Sequence, residues 1–397
     1  MSYYLFISIQ IHILITLTVF ALPINYFTGF KIYQLIIISL CLSVVSKLFK
    51  KLQSKTSIKF SLIKSLNLFI FSIFIIVGFI SGAFQNGIWK AFLGSVEYIV
   101  VFGLFLFLAF LNFPFCRYMN GLIVNLSMAA VVVGLLGVYQ YYIDSILFGI
   151  YSEGVFSNLD SWSLKRVPSI FGSIQVFAAF MTYVILLLFI FKPFHENLNS
   201  FIILLLAVLG SFSGSFLFYG GITLIILGVI SHNKKIYLSL LFLFLFLIIY
   251  IYSIFYDEKE NLFMPIFRLI TIFSPDGEFL MSNSERFAIW MNVISQTPLF
   301  YGNGFGQAST LVDGPDRFNT ESYFFSIYYQ TGILGSLLMF ILLASLLYSA
   351  SRGLPMFSKI IFSAIVCTYL LGVHVFYSIM MIPFWLLIVQ TKMDSRK

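Results

Sequence analysis

Long apolar runs, each followed by a short polar break, dominate this chain, and its few charged residues fall in those breaks. Hydrophobic residues make up 60% of the sequence and charged residues only 10%, with a mean hydropathy of +1.00. A helix needs about 20 apolar residues to cross a bilayer, where it also satisfies its own backbone hydrogen bonds. The runs are continuously apolar, which disfavours the alternating pattern of a membrane β-barrel. The sequence therefore predicts an all-α bundle of membrane helices.

We predict about 10–12 membrane-spanning helices in a single polytopic domain comprising residues 1–397. The first apolar run lacks a basic leader and a small-residue cleavage site, which favours a retained span over a removable signal. The stretches 199–231 and 359–391 can each form one long helix or two short ones. The predicted spans are 4–22, 31–48, 65–84, 91–111, 119–141, 171–191, 199–213, 216–231, 237–256, 322–350, 359–378 and 380–391.

The distribution of charge predicts the orientation in the membrane. Alternate breaks hold 15 of the 23 basic residues, and of the acidic residues they hold only Glu196 and Asp394. The positive-inside rule places these breaks and both termini in the cytoplasm. Two acidic loops, residues 142–169 and 257–321, then lie on the opposite face. The basic residues concerned are Lys47, Lys50, Lys51, Lys55, Lys59, Lys64, Arg117, Lys192, Lys234, Lys235, Arg352, Lys359, Lys392, Arg396 and Lys397.

Several functional classes find no support in the sequence. The net charge of +8 is explained by orientation, so nucleic-acid binding is not indicated. Cys41, Cys116 and Cys367 lie in or beside apolar runs and show no disulfide or metal-site pattern. The four histidines lack metal-ligand spacing, and there is no nucleotide-binding motif or serine elbow. We therefore expect no metal and no cofactor.

The second acidic loop contains signs of folded structure. Residues 263–273 resemble an interfacial apolar segment, and residues 282–285 (SNSE) match a capping box that would start a helix. That helix would end before Pro298 and carry Phe287, Trp290 and Val293 or Ile294 on one face. Glycines in residues 302–306 then permit a tight turn. We expect this loop to fold against the membrane.

Four arginines in the two acidic loops are candidates for binding phosphate. Arg166 closes the first loop, whereas Arg268, Arg286 and Arg317 lie in the second. A guanidinium group is permanently charged and binds phosphate oxygens in bidentate fashion. The alternative is interfacial snorkelling, or local ion pairing such as that of Arg286 with Asp276 or Glu278.

Glu321 is the acidic residue closest to an apolar span, within residues 319–323 (NTESY). A carboxylate partly withdrawn from water can act as a general base towards a hydroxyl. The alternative is an acid that stabilises a helix N-terminus. Glu97 lies deeper in span 91–111, where it is either functional or hydrogen-bonded between helices. Aromatic residues including Trp162, Tyr301 and Tyr323 could form an interface belt or stack on sugars.

Four segments together resemble the C-terminal signature of the O-antigen polymerase and O-antigen ligase superfamily. They are residues 284–290 (SERFAIW), 298–306 (PLFYGNGFG), 319–323 (NTESY) and 332–335 (GILG). Residues 166–172 (RVPSIFG) resemble an arginine segment that precedes a mid-chain span in the same superfamily. With the hydropathy profile, the resemblance covers most of the chain.

The resemblance implies a metal-independent membrane glycosyltransferase at the outer face of the bacterial cytoplasmic membrane. It would transfer glycan between undecaprenyl-diphosphate-linked oligosaccharides, with a chain-length regulator and a flippase as partner proteins. Arg166 and Arg286 would hold the donor diphosphate, and Glu321 would activate the acceptor hydroxyl. Asn319, Tyr323, Arg268, Arg317 and Trp290 would contact substrate. The product could be O-antigen, capsule or another exopolysaccharide.

Two departures from the superfamily pattern bear on its activity. Ligases commonly have a histidine where this chain has Asn319, Thr320 and Glu321, which favours a polymerase. Many members also have an arginine near residues 211–215, and this chain has none there. The alternatives are a ligase that transfers glycan to a lipid acceptor, or a lipid-linked oligosaccharide flippase. A flippase needs polar or charged residues along a path through its spans, and these spans contain almost no ionisable residues besides Glu97.

Overall fold

The structure of the chain is a computed structural model. It describes residues 9, 62–103, 106, 115–143, 146–147, 150–151, 153–154, 165–166, 169, 174–191, 194–211, 278–307 and 322–350.

The described residues form a helical membrane protein. In chain order the helices are α1 (Leu62–Asn86), α2 (Ile88–Tyr98), a π-helical turn (Ile99–Gly103), α3 (Phe115–Tyr142), α4 (Ile174–Phe191), α5 (Glu196–Ser211), α6 (Glu278–Gln296) and α7 (Tyr323–Ala350). Among them α1, α3 and α7 contain segments long and apolar enough to cross a membrane. Shorter apolar helices occupy residues 174–189 and 196–210. The predicted helical class is therefore confirmed, whereas the predicted count of about 10–12 spans stays a prediction.

Five of the predicted spans coincide closely with described helices. Spans 65–84, 119–141, 171–191 and 322–350 correspond to α1, α3, α4 and α7, and span 199–213 to α5. Span 91–111 begins as α2 and continues as the π-helical turn. Spans 4–22, 31–48, 216–231, 237–256, 359–378 and 380–391 fall outside the described helices.

The chain divides into two compact units. One unit comprises residues 1–122 and 288–397, and the other comprises residues 123–287. The expectation of a single membrane domain with two outer loops stays a prediction.

The unit of residues 123–287 is built around α4. Nearly every described side chain of α4 between Ile174 and Leu188 is buried, as expected for a helix that is apolar on all faces. Helix α3 approaches it closely at Gly134, where an added Cβ would lie 2.6 Å from Leu209 Cβ and 2.8 Å from Met181 Cε. The amide of Asn199 donates to Leu188 O (3.1 Å) and ties α5 to α4.

The first acidic loop contains short strands. Strands β1 (Ile146–Leu147) and β2 (Ile150–Tyr151) pair antiparallel, as do β3 (Glu153–Gly154) and β4 (Lys165–Arg166). The prediction of a purely helical chain missed these strands, because two-residue pairings carry too little periodicity to detect.

Helix α6 starts four residues earlier than the capping box predicted. It begins at Glu278, so Ser282 and Glu285 lie inside the helix and that part of the prediction is wrong. Glutamate, leucine and methionine favour helix and extend it upstream of the local cap signature. The predicted end before Pro298 is confirmed, because α6 stops at Gln296.

Candidate functional site

Helix α7 is broken near its start at Gly332. This residue has φ 61° and ψ −160°, a backbone conformation that is essentially restricted to glycine. The break separates a short segment, residues 323–331, from a longer one, residues 333–350. A sharp break inside a membrane helix exposes backbone groups, and these need partners from neighbouring protein.

A loop turn inserts into this break and supplies the partners. Ile333 N–H donates to Leu299 O (2.8 Å) and Leu334 N–H to Phe300 O (3.4 Å). The carbonyl of Tyr329, which would accept from residue 333 in a continuous helix, accepts from Asn303 N–H (2.7 Å) instead. We call residues 298–307 the insertion turn. Its backbone replaces the hydrogen bonds that the break removes.

The ring of Phe305 anchors the insertion turn to α1 and α2. It is fully buried and stacks on Tyr98, with ring centroids 5.0 Å apart, and meets Phe74 edge-on at 5.5 Å. Its N–H donates to Gly78 O (3.0 Å) on α1. A buried aromatic ring contributes several kcal/mol by burial and packing, on the order of 3–5 kcal/mol when lost to alanine.

Small residues on α1 and α2 allow the turn to approach. A Cβ added at Gly82 would lie 2.5 Å from Phe305 O, and one added at Gly94 would lie 2.6 Å from Gly306 N. Real side chains do not fit at such distances. The surface between α1 and α2 is therefore shaped to receive backbone.

Two amides at the end of α1 hold the carbonyls of the turn. Gln85 Nε2 donates to Gly302 O (2.9 Å), and Asn86 Nδ2 donates to Asn303 O (2.7 Å) and Phe305 O (3.2 Å). Both side chains immediately precede Gly87, where the chain reverses into α2 with φ 87°. The insertion turn thus lies at the end of the α1–α2 hairpin.

A buried polar cluster lies beside the turn, on the short segment of α7. Gln330 is 1% exposed, and its Nε2 contacts Tyr98 Oη (3.1 Å) and Ser326 Oγ (3.1 Å). Its Oε1 has no hydrogen-bond partner among the described atoms. Ser326, one turn earlier in the helix, and Ser322, just before the helix starts, are also buried. Polar groups buried at this depth hold α2 and α7 in one arrangement.

Helix α6 packs on the same short segment of α7. Trp290 stacks on Phe325, with ring centroids 4.9 Å apart and planes 15° from parallel. Val293 is fully buried in a cluster with Tyr329. Phe287 and Ile294 are exposed, so the predicted apolar face of α6 is divided between packing and exposure.

The predicted site residues are described to different extents. Arg286 lies in α6, and Arg166 lies in β4 with its backbone opposite Glu153, whereas their side chains lie outside the described atoms. Trp290 takes part in the Phe325 stack, and Tyr323 is 1% exposed beside Phe324. Residues outside the described part of the chain are Arg268, Arg317, Asn319 and Glu321. Their roles stay predictions.

Sequence reasoning missed the residues that hold the insertion turn. Gln85, Asn86, Tyr98 and Gln330 were not singled out, because each is a polar residue within or beside an apolar run. The detectable signal was the polar pair Gln85 and Asn86 just before a glycine. Within the described residues, no three His, Cys, Asp or Glu side chains lie together as metal ligands would.

Residues 199–340 match the model of a family described as O-antigen ligase. This match agrees with the resemblance of the sequence motifs to the O-antigen polymerase and ligase superfamily. The matched segment includes α6, the insertion turn and the break in α7, whereas the α1–α2 hairpin that receives the turn lies before it. No curated protein matches the chain.

Proteins of this superfamily are glycosyltransferase-like enzymes that act on lipid-linked glycans in a membrane. The apolar helices α1, α3 and α7 agree with a membrane location.

Proposed function

We propose that this protein is a polysaccharide repeat-unit polymerase of the bacterial cytoplasmic membrane. It transfers a glycan from an undecaprenyl-diphosphate carrier to a sugar hydroxyl of a second lipid-linked unit on the outer face. The observation that carries the proposal is the superfamily match over residues 199–340, because this segment includes both Arg286 and Glu321.

The reaction needs a base, an electrophilic carbon and a stabilised leaving group. Glu321 accepts the proton of the acceptor hydroxyl, whose oxygen attacks the anomeric carbon of the donor sugar. The bond between that carbon and the diphosphate breaks, and the lipid diphosphate departs. Arg166 and Arg286 stabilise the negative charge that develops on it. The proton leaves Glu321 for solvent before the next cycle.

The Trp290–Phe325 stack supports a shared role for Arg286 and Glu321. Arg286 precedes Trp290 by four residues, and Glu321 precedes Phe325 by four residues. The two candidates thus have the same separation in sequence from one pair of contacting rings, which supports a role for both on one substrate.

A ligase is the second candidate, and the family description favours it directly. The polymerase is preferred because Asn319, Thr320 and Glu321 occupy the region where ligases commonly have a histidine. The two reactions share donor chemistry and differ only in the acceptor.

The proposal is tested in a deletion strain complemented with Glu321→Gln or Arg286→Ala. Both variants should insert normally and yield no polymer, and single repeat units should accumulate on the carrier or capped on their acceptor. Arg286→Lys should also be impaired, because a point charge cannot bind a diphosphate in bidentate fashion. Polymer length on gels and lipid analysis provide the measurement.

Arg352→Ala is the matched control, since it removes an arginine from a break predicted to be cytoplasmic. It should leave polymer unchanged. Full-length polymer from both Glu321→Gln and Arg286→Ala would refute the mechanism. Loss of long glycan on the final acceptor, with polymer still present on the carrier, would instead identify a ligase.

A further inference from the structure

An open groove of about 480 Å³ runs along α1 beside the insertion turn. Its apolar wall consists of Ile76, Val77, Ile80 and Phe84, and Tyr301 of the insertion turn closes one side. Ile76 and Ile80 are about half exposed. The groove therefore opens towards the surroundings of the helix, which in a membrane are lipid chains.

The groove changes from apolar to polar along its length. Ile76 and Val77 lie near the middle of the candidate span of residues 65–86, whereas Ser81 and Gln85 lie near its end. From Ile76 to Gln85 the helix rises about 14 Å. This gradient matches a lipid whose chain lies towards the bilayer centre and whose head group lies at the end of α1.

The polar end of the groove is continuous with the candidate site. Gln85 donates to Gly302 O of the insertion turn, next to Tyr301. Lys90 is exposed, and its backbone packs on Gly306 of the same turn. An anionic head group at this end would therefore meet the side chains of Gln85 and Tyr301 and the turn of the family-matched segment.

We propose that this groove binds the polyprenyl chain of the lipid diphosphate carrier, with the diphosphate directed at the insertion turn. The inference rests on the proposed function, which supplies the carrier. An ordinary phospholipid has the same orientation, but the groove's continuity with the insertion turn favours the substrate lipid. Binding of the chain along α1 would hold the scissile end of the donor beside the turn.

The test is photocrosslinking of the full-length protein in phospholipid nanodiscs that contain undecaprenyl diphosphate. A p-benzoylphenylalanine replaces Ile80, and in the control it replaces Phe340, which is exposed on α7 and does not line the groove. We expect the carrier to be crosslinked at position 80 and not at position 340, with competition by unlabelled undecaprenyl diphosphate. Crosslinking of phospholipid alone at position 80 would overturn the inference.

A substitution that fills the groove provides a second, kinetic test of binding. Ile80→Trp should raise KM for the lipid-linked unit roughly tenfold, equivalent to about 1.4 kcal/mol of lost binding, with kcat little changed. Phe340→Trp should leave both constants unchanged. An unchanged KM for Ile80→Trp would contradict binding in the groove.

The inference and the proposed function fail in different ways. Crosslinking does not require turnover, so it should persist in a Glu321→Gln background. If the carrier is crosslinked at position 80 but the wild-type protein forms no polymer, the proposed polymerase activity is refuted and binding of the carrier in the groove is supported. If the wild-type protein forms polymer but no carrier is crosslinked at position 80, binding of the carrier in the groove is refuted and the proposed polymerase activity is supported.

Discussion

Tyr98 and Phe305 stack with their ring centroids 5.0 Å apart and their planes 23° from parallel. Tyr98 ends α2, early in the chain, whereas Phe305 belongs to a turn that follows α6. The stack therefore joins the second acidic loop to the α1–α2 hairpin, about three helical turns from the chain reversal at Gly87. Residues 85–90 are the predicted break between spans 65–84 and 91–111. They lie at the same end of α1 and α2 as residues 298–307, and the predicted orientation requires the two segments to share one side of the membrane.

Truncation of Phe305 should release the insertion turn. Phe305→Ala removes a fully buried ring between Phe74 and Tyr98 and should cost about 3–5 kcal/mol of stability. We expect a lower Tm in detergent and a loss of polymer. Phe300→Ala is the matched control, because Phe300 lies in the same turn with its ring 68% exposed, and it should change Tm little. Equal Tm values for the two variants would contradict the anchoring role.

Substitution of Gly332 should disrupt the break in α7. Gly332→Ala places a Cβ 2.6 Å from Phe300 C at a positive φ, which costs of order 1–3 kcal/mol in backbone strain besides the clash. The variant should lose both stability and activity. Ile333→Ala, next to it but 40% exposed, should fold normally. A Gly332→Ala protein with wild-type Tm would show that the break is not required.

Tyr98 and Gln330 should be energetically coupled. A double-mutant cycle of Tyr98→Phe and Gln330→Met, measured by unfolding in detergent, should give a coupling of about 0.5–1.5 kcal/mol. A parallel cycle pairs Tyr98→Phe with Ser72→Ala, whose hydroxyl donates to Leu68 O on an exposed part of α1. That cycle should be additive within about 0.5 kcal/mol. Additivity in both cycles would mean that the Tyr98–Gln330 hydrogen bond contributes no stability.

A membrane-impermeant maleimide should reach the start of α2 and helix α6 from outside the cell. In a chain whose three native cysteines are replaced by serine, Lys90→Cys and Asn292→Cys should be labelled in intact spheroplasts. Lys51→Cys should be labelled only after permeabilisation, because it lies in a basic break. Labelling of Lys90→Cys and Asn292→Cys only after permeabilisation would reverse the orientation and end the proposed mechanism.

Local patterns accounted for much of the described structure. Apolar runs predicted α1, α3, α4, α5 and α7 to within a few residues, because bilayer thickness and backbone hydrogen bonding leave few alternatives. The glycine pattern of residues 302–306 correctly predicted a tight turn. The predicted start of α6 was wrong, because the Ser-x-x-Glu spacing of a capping box can also occur inside a helix.

The sequence by itself determined a helical membrane protein that resembles the O-antigen polymerase and ligase superfamily, since hydropathy and motif order depend on local residue types. Only the tertiary structure showed that the backbone of residues 298–307 supplies hydrogen-bond partners at the break of Gly332, and that Phe305 lies between α1 and α2. Those contacts join segments far apart in the chain, and burial, ring stacking and backbone pairing across such distances leave no periodic signature in the sequence.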